Sequence, residues 1–161
     1  MKTKVTYASC FLLLLLLAVA CNSKKTEPAA TVIDKEQIKK EIQAKEDEFA
    51  AVYNSGELKD IGYYAEDAVS FFQNKKPLVG REAIVNFLKS DLVSNTDRIS
   101  FKTNEVFVSN DGILVVEIGS YTVVDSINTP INTGNYMSLF EKRNGKYYCL
   151  RDMSASDMTV E

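Results

Sequence analysis

The second half of the chain alternates apolar and polar residues with a period of two, and this pattern constrains the fold more than any other feature. The alternating segments are separated by "NDG", "NTPINTG" and "RNG". Period-two alternation is typical of β-strands with one buried face, and turns of this composition favour hairpins. We therefore expect four consecutive antiparallel strands, at about residues 98–109, 112–125, 134–143 and 146–154.

Helical periodicity precedes these strands. "DKEQ" at 34–37 has the capping-box spacing, and the apolar stripe that follows it ends at "NSG", residues 54–56. We expect a short second helix at 57–65, a first strand at 68–72 and a third helix at 81–93. Helices followed by an antiparallel meander predict an α+β domain, with about three N-terminal helices packed on one face of a strongly curved, mostly antiparallel sheet.

The N-terminus, "MKTKVTYASCFLLLLLLAVACNSKK", begins with a short basic region, Lys2 and Lys4, and continues with an apolar run at 11–20. This run is too short to span a bilayer, which takes about 20 residues, and its length is typical of a signal-peptide core. It ends in "LAVAC", which resembles the bacterial lipobox, in which small residues precede a cysteine that becomes lipidated. An ordinary secretory signal, cut nearby, is the alternative.

We therefore predict a signal peptide at 1–20, a flexible polar tether at 21–32 and one domain at 33–161. A lipidated Cys21 would anchor the mature chain to a membrane. The expected location is the bacterial cell envelope. "NSKK" rather than an acidic pair follows Cys21, which favours a domain that faces the periplasm.

The composition excludes several chemistries. The chain has no histidine, which is the usual general base at neutral pH and the commonest metal ligand. The acidic residues have no ligand spacing, so we expect no metal and no cofactor. Without the signal peptide, 17 basic and 22 acidic residues leave a formal charge of −5 and no basic stripe, so we expect no nucleic-acid binding. Cys149 is the one cysteine left in the domain, and a buried, unreactive thiol is the favoured interpretation.

Three segments carry a resemblance to a known fold: "NSGELKDIGYYAEDAV", "PLVGREAIVNFL" and "NGKYYCLRDMSASD". They are similar to motifs of SnoaL-like bacterial domains, which have the nuclear transport factor 2-like, or cystatin-like, fold. The similarity covers residues 33–158. It implies a cone-shaped α+β barrel with a cavity between the helices and the concave sheet. The fold hosts isomerases, cyclases, dehydratases, binding modules and assembly domains, so the resemblance does not imply one function.

This resemblance also places a set of side chains near the cavity. Together with the alternation of the last strand, it predicts a ligand pocket formed by Tyr53, Tyr64, Phe72, Tyr136, Leu150, Asp152 and Ser154. Aromatic walls with a few polar groups suit a small, partly apolar ligand. Ordinary core packing of the same aromatic residues is an equal alternative.

Alternation along the last strand assigns its residues to two faces. One face carries Tyr148, Leu150, Asp152 and Ser154. Arg151 is on the other face, so we do not expect it to pair with Asp152. Related isomerases have a pocket-lining tryptophan at the position of Ser154, which implies that Asp152 is on the cavity side.

Steroid isomerases of this fold use a carboxylate base, with a tyrosine and a protonated aspartic acid that donate to the oxyanion. Counted along this sequence, the base position falls on Phe72 and the tyrosine position on Phe49. The aspartic acid position falls on Tyr136, which retains a donor. Since two of the three groups are replaced by phenylalanine, the sequence argues against this isomerase chemistry.

Other acidic residues are less informative. For the adjacent Glu66 and Asp67, helix-end solvation and turn capping are the favoured interpretation. Glu117 interrupts the apolar run "GILVVEIGSY", on the parity of Val115 and Tyr121. A buried charge is costly unless it is paired. Glu117 is therefore expected at a wet face or a dimer interface, with a catalytic role as the alternative.

The leading hypothesis is a membrane-tethered, extracytoplasmic lipoprotein. Its domain would bind a small, partly apolar ligand or a partner without evident catalysis, with Asp152 as the polar anchor. One alternative is an acid–base enzyme acting on a small hydrophobic substrate, with Asp152 as acid or base and Tyr136 as donor. Another is a dimerisation module, since sheets of this fold commonly pair face to face, and we expect a homodimer through the sheet.

Overall fold

The computed structural model describes residues 33–58, 61–92 and 96–158. The predicted signal peptide, the tether and Cys21 lie outside the described residues. The elements follow in the order α1 Lys35–Ser55, β1 Tyr64–Phe71, β2 Leu78–Val79, α2 Arg81–Leu92, β3 Arg98–Val108, β4 Leu114–Val124, β5 Pro130–Arg143 and β6 Lys146–Ser156. Within these ranges, neither helix is long and apolar enough to cross a membrane.

Helix α1 begins where the sequence predicts it. Asp34 is the N-cap, and its side chain accepts a hydrogen bond from the Gln37 backbone N–H at 3.0 Å. This contact satisfies one of the amide groups that have no partner in a first helical turn. The helix ends at Gly56, whose φ of 77° is in the left-handed region. The buried face consists of Ile38, Ile42, Glu46, Phe49 and Tyr53.

The prediction of a short helix at 57–65 is wrong at the C-terminal end of that range. Strand β1 begins at Tyr64, earlier than the strand predicted at 68–72. Tyr64 pairs in parallel with Cys149 of β6, and the Cys149 N–H donates to the carbonyl of Tyr63 at 2.9 Å. Pairing with a neighbouring strand therefore overrides the local helical spacing.

The six strands form one sheet in the order β2-β1-β6-β5-β4-β3. Every neighbouring pair is antiparallel except β1 with β6, which confirms the α+β class and the mostly antiparallel sheet. Strand β5 begins at Pro130, so part of "NTPINTG" is strand rather than turn. The turn closes earlier because the Asp125 N–H donates to the Thr129 carbonyl at 3.0 Å and Asn128 adopts a φ of 67°.

Register shifts occur in four of the five strand pairs. An extra residue in one strand bends it and increases its twist, so these shifts curve the sheet around the helices. The main core lies on the concave side. Its largest fully buried apolar side chains are Phe140, Ile42, Leu58, Ile84 and Val115.

The outer face of the sheet carries exposed apolar side chains. Met137 and Met153 are register partners on β5 and β6 and are 45% and 55% exposed. Phe107 on β3 is 53% exposed. Apolar surface of this kind is available for burial by another chain. The homodimer through the sheet stays a prediction.

Gly119 of β4 lies against the ring of its register partner on β5, Tyr136. A Cβ at Gly119 would come within 2.2–2.4 Å of three atoms of that ring and its hydroxyl. The same hydroxyl donates a hydrogen bond to Glu117 at 2.8 Å. The absence of a side chain at position 119 therefore leaves room for the ring.

We expect Gly119→Ala to lower the free energy of unfolding by about 2 kcal/mol or more, because the ring must move and lose its hydrogen bond to Glu117. Urea unfolding followed by circular dichroism measures the change. Gly62→Ala is the matched control, since the nearest atom to its Cβ would be Glu48 Oε1 at 3.9 Å. Equal effects of the two substitutions would contradict the close approach.

Candidate functional site

A cavity of about 260 Å³ lies between the helices and the inner face of the sheet. Its lining comes from both helices and from every strand except β2. The aromatic lining residues are Phe49, Tyr53, Tyr63, Tyr64, Phe71, Phe72, Phe87, Phe101, Tyr121 and Tyr136. The other polar lining residues are Glu46, Ser70, Asp91, Ser138, Asp152 and Ser154.

The structure brings most of the predicted pocket residues together. Those that line the cavity are Tyr53, Tyr64, Phe72, Tyr136, Asp152 and Ser154. Leu150 is the exception, since it does not belong to the lining. Simple alternation predicts Leu150 on the face of Asp152, and the structure corrects that assignment.

A bulge in β6 explains the correction. Neighbouring residues of β5 pair with Cys149 and Arg151, so Leu150 between them has no register partner. The extra residue reverses the alternation of faces. Cys149 is fully buried in the core before the bulge, whereas Asp152 lines the cavity after it.

Arg151 lies on the outside of the sheet and donates to the backbone carbonyl of Asp67 at 3.2 Å. The carboxylate of Asp67 accepts two hydrogen bonds from Arg143, at 2.8 and 3.2 Å, and these hold the pKa of Asp67 below its usual value. Glu66 pairs with Arg81 at 3.3 Å. The predicted helix-end role of Glu66 and Asp67 is therefore wrong, because both are exposed residues of strand β1.

Asp152 has one satisfied and one unsatisfied carboxyl oxygen. Its Oδ2 accepts a hydrogen bond from the Tyr64 hydroxyl at 3.0 Å. Its Oδ1 is buried and has no hydrogen-bond partner. Ser70, the register partner on β1, is close enough to lower the pKa of the carboxyl without completing a bond to Oδ1. Burial outweighs both hydroxyls and raises the pKa of Asp152.

Two further carboxyls are buried in the same region of the core as that of Asp152. Glu46 of α1 is 1% exposed and Glu117 of β4 is 0% exposed. The Tyr63 hydroxyl donates to Glu46 Oε1 at 2.5 Å. Glu117 Oε1 accepts from the Thr103 hydroxyl at 2.5 Å and from the Tyr136 hydroxyl at 2.8 Å. Among the described residues, no lysine or arginine forms an ion pair with either carboxyl.

Glu46 and Glu117 lie close enough for each to affect the pKa of the other. Burial raises the pKa of Glu46 well above its usual value, and the negative charge of Glu117 raises it further. Burial also raises the pKa of Glu117, but hydrogen bonds from Thr103, Glu46 and Tyr136 oppose that rise. Glu46 therefore has the more strongly raised pKa of the two, and Glu117 Oε2 is buried without a hydrogen-bond partner.

Glu46 is the site residue that the sequence analysis missed. It lies four residues after Ile42 and three before Phe49, so an acidic residue interrupts the apolar stripe of α1. That spacing is the signal that could have identified it, because a charge on a buried stripe needs a polar partner. Glu117, expected at a wet face or a dimer interface, is instead buried on the inner face of β4, on the side of Val115 as its parity predicts.

A tyrosine hydroxyl donates to each carboxyl in or beside the cavity. At the cavity edge, the exposed Asp91 accepts from Tyr53 at 2.6 Å. The complete set of pairs is Tyr53–Asp91, Tyr63–Glu46, Tyr64–Asp152 and Tyr136–Glu117. The site is thus built from phenols and carboxyls.

Two of the three positions that correspond to isomerase groups are apolar. Phe49 and Phe72 both line the cavity, and the Tyr136 hydroxyl is bound to Glu117. Burial raises the pKa of Cys149, which keeps this thiol protonated and unreactive. In the parts of the chain that the structure describes, no three cysteine, aspartate or glutamate side chains are grouped to hold a metal ion.

We expect Glu46→Gln to stabilise the protein by an amount that grows as the pH rises. In the wild type the folded-state pKa of Glu46 lies above its unfolded value of about 4.5. Between the two values the folded state holds a proton that the unfolded state has released, so stability falls with rising pH. Glutamine removes this loss, which amounts to about 1.4 kcal/mol for each unit between the two pKa values.

Urea unfolding at several pH values between about 4.5 and 8 measures the difference between variant and wild type. Glu48→Gln, on the exposed side of the same helix, controls for the removal of one charge. A difference for Glu46→Gln that grows no more steeply than that of the control would contradict the raised pKa of Glu46.

Solved structures with this architecture are similar to the chain. A nuclear transport factor 2-like protein with a cystatin-like fold from Novosphingobium aromaticivorans is 14% identical, with a TM-score of 0.66, and the match covers 99% of this chain and 94% of that chain. A domain of unknown function with a cystatin-like fold from Nostoc punctiforme is 17% identical, with a TM-score of 0.65 and coverage of 78% and 79%. A ketosteroid isomerase-like protein from Erwinia carotovora atroseptica is 12% identical, with a TM-score of 0.59 and coverage of 74% and 96%.

No family model matches the sequence, and no curated protein matches it either. At identities this low, the structural similarities establish the fold alone, and this fold hosts many unrelated functions. They confirm the architecture that the sequence resemblance implies. The chain has the nuclear transport factor 2-like, or cystatin-like, fold.

Proposed function

We propose that the domain binds a small, partly apolar molecule in the cavity, with Asp152 as the polar anchor. One observation carries the proposal: Asp152 Oδ1 is buried in an aromatic lining and has no hydrogen-bond partner. A buried polar atom without a partner costs about 1–3 kcal/mol. A donor group on a ligand would remove that cost, and Asp152 would fix the orientation of the ligand.

The size of the cavity supports ligand binding over simple core packing. Protein interiors have few voids larger than a water molecule, whose share of the liquid is about 30 Å³. The cavity of about 260 Å³ is far larger than such a void. It is slightly smaller than common ligand sites of about 300–1,000 Å³, so it suits a molecule smaller than a typical drug.

Small polar side chains surround Asp152 in the lining. Ser138 on β5 and Ser70 on β1 are its register partners on either side. Ser154, farther along β6, is exposed and also lines the cavity, so the cavity reaches the surface there. Ser154 occupies the position at which related isomerases have a tryptophan. Its small side chain leaves a path by which a ligand reaches Asp152.

A second function, acid–base catalysis, is favoured by the pKa of Asp152. Burial raises this pKa, which moves the carboxyl towards the range of a general acid. The predicted donor Tyr136, however, already directs its hydroxyl proton to Glu117. Binding without evident catalysis is therefore the better supported function.

We expect Asp152→Asn to weaken the binding of ligands that donate to Oδ1 by about tenfold or more, because hydrogen bonds to charged groups contribute about 1.5–3 kcal/mol. A thermal-shift screen of small aromatic and aliphatic fragments with one donor group, followed by titration of the hits, measures the effect on the purified protein.

Asp157→Asn is the matched control for that screen, since Asp157 accepts from the Thr133 hydroxyl and lies outside the lining. Equal responses of the wild type and Asp152→Asn would remove Asp152 from the site. Hits that are recovered chemically altered after incubation would support the acid–base enzyme in place of the binding protein.

We propose further that lipid on Cys21 holds the mature domain at a membrane of the bacterial envelope, on its periplasmic side. The support is "LAVAC" at the end of a signal-like segment, followed by a polar tether. An acylated cysteine holds a protein at a membrane without a spanning helix.

The full-length protein, expressed in bacteria that are fed an alkyne fatty acid, should incorporate the label at Cys21. Cys21→Ser should lose the label because the acceptor thiol is gone. Cys10→Ser is the matched control and should retain it, since Cys10 leaves with the signal peptide. Gel fluorescence after coupling to a dye measures incorporation, and a labelled Cys21→Ser protein would contradict the assignment.

A further inference from the structure

We propose that the ligand is an extended molecule that occupies both the cavity and a second groove beside it. Its parts are a ring that carries a hydrogen-bond donor, a carbonyl group next to the ring, and an aliphatic chain. This inference rests on the proposed binding function and names the class of ligand. It depends on the lining of the groove, on Tyr121 and on the position of Asp152.

A groove of about 540 Å³ adjoins the cavity. Four residues line both spaces: Tyr53, Asp91, Ile99 and Tyr121. The groove opens to solvent, since Ile131 of its lining is 42% exposed. A molecule that is bound in the cavity can therefore continue into the groove and remain in contact with the protein.

The walls of the two spaces differ in chemistry. The cavity is lined mainly by aromatic residues, against which a flat ring packs well. Beyond the four shared residues, the groove is lined by Asp97, Val123, Ile131, Asn132 and Met158. Three of these side chains are apolar and none is aromatic, so the groove can bury the methylene groups of a chain. We therefore assign the ring of the ligand to the cavity and its chain to the groove.

Tyr121 lies where the cavity and the groove meet, and its hydroxyl group is available to a ligand. The other tyrosines of the cavity lining each donate to a carboxyl: Tyr53, Tyr63, Tyr64 and Tyr136. Among the described residues, the hydroxyl of Tyr121 has no hydrogen-bond partner. A carbonyl oxygen of the ligand would accept the hydrogen bond that this hydroxyl can donate.

A glycine on the neighbouring strand determines where the Tyr121 ring lies. Gly134 of β5 is the register partner of Tyr121, and a Cβ at Gly134 would lie 2.5 Å from each of two atoms of the ring. The ring therefore lies against the backbone of β5, as the ring of Tyr136 lies against Gly119. Packing positions the Tyr121 ring before a ligand binds, which lowers the entropic cost of a hydrogen bond to the ligand.

The positions of the two polar contacts require an extended ligand. Asp152, whose Oδ1 is buried without a partner, pairs with Ser138 of β5, whereas Tyr121 pairs with Gly134 of the same strand. These two partners are four residues apart, which corresponds to about 13 Å along the strand. A molecule that contacts both Asp152 and Tyr121 is therefore longer than a single unsubstituted ring.

The test compares four probes on the purified full-length protein. 4-Hydroxyheptanophenone has the phenol donor, the carbonyl and the chain. Heptanophenone lacks the donor, 4-heptylphenol lacks the carbonyl, and 4-hydroxyacetophenone lacks the chain. We expect the complete molecule to bind about tenfold more tightly than the probe without the chain, and about threefold or more tightly than each of the other two. Calorimetry and saturation-transfer NMR measure the affinities.

Tyr121→Phe keeps the ring and removes the hydroxyl. It should weaken the binding of 4-hydroxyheptanophenone by about threefold or more, because the carbonyl loses its donor. It should leave the affinity for 4-heptylphenol unchanged, since that probe has no carbonyl. Tyr148→Phe, outside both linings, is the matched control.

Ile131→Ser removes apolar surface from the groove alone. It should weaken the binding of the probes that have a chain by about threefold or more and leave that of 4-hydroxyacetophenone unchanged. Ile127→Ser is the matched control, because Ile127 is 78% exposed and lies outside both linings. Circular dichroism of each variant verifies that the fold is retained.

Equal affinities for 4-hydroxyheptanophenone and 4-hydroxyacetophenone, or equal effects of Ile131→Ser and Ile127→Ser, would overturn the inference and leave the proposed binding function in place. A loss of affinity in Tyr121→Phe that is as large for 4-heptylphenol as for the ketone would contradict the carbonyl contact. Absence of binding by all four probes, with hits in the fragment screen, would overturn this inference alone. Absence of binding in both experiments would overturn both proposals.

Discussion

Two buried carboxyls meet where helix α1 packs on the sheet, and the rest of the domain depends on how they are satisfied. Glu46 and Glu117 have no cationic partner among the described residues, and charge in an interior is costly unless it is paired or hydrogen-bonded. The Tyr63 hydroxyl ties Glu46 of the helix to the segment before β1, and the Tyr136 hydroxyl of β5 satisfies Glu117 of β4. Gly119 leaves room for the hydrogen bond between Tyr136 and Glu117, since a side chain at position 119 would displace the ring of Tyr136.

The composition of the cavity lining follows from the way in which the buried carboxyls are hydrogen-bonded. Tyrosines, rather than lysines or arginines, donate to the buried acids, so the same side chains that stabilise the core also line the cavity with aromatic rings. Asp152 repeats the arrangement with Tyr64 but has one oxygen left without a donor. A cavity of this composition is largely apolar and holds a buried acceptor without a donor, which is the basis for proposing a small, partly apolar ligand.

Local patterns predicted the elements whose boundaries depend on neighbouring residues along the chain. The cap at Asp34 and the alternation of β3 to β6 are examples, since capping and one-sided burial both act over a few residues. The patterns failed where a distant strand determines the conformation. Tyr64 pairs with β6 instead of continuing a helix, and the bulge at Leu150 reverses the faces of the last strand. A bulge has no signature in a period-two pattern, because the extra residue differs from its neighbours only in its pairing.

The α+β class, the sheet of consecutive antiparallel strands and the lack of histidine chemistry follow from residue types and short-range periodicity, whereas the family resemblance implied the cavity side for Asp152. The hydrogen-bond partners of the buried acids do not follow from these patterns. Glu46 lies in a helix and Glu117 in a strand far along the chain, and their tyrosine donors, their burial and the raised pKa of Glu46 exist only once the helix packs on the sheet. Hydrogen bonds between residues distant in sequence depend on where the elements meet, and that meeting leaves Asp152 Oδ1 without a donor beside an open cavity.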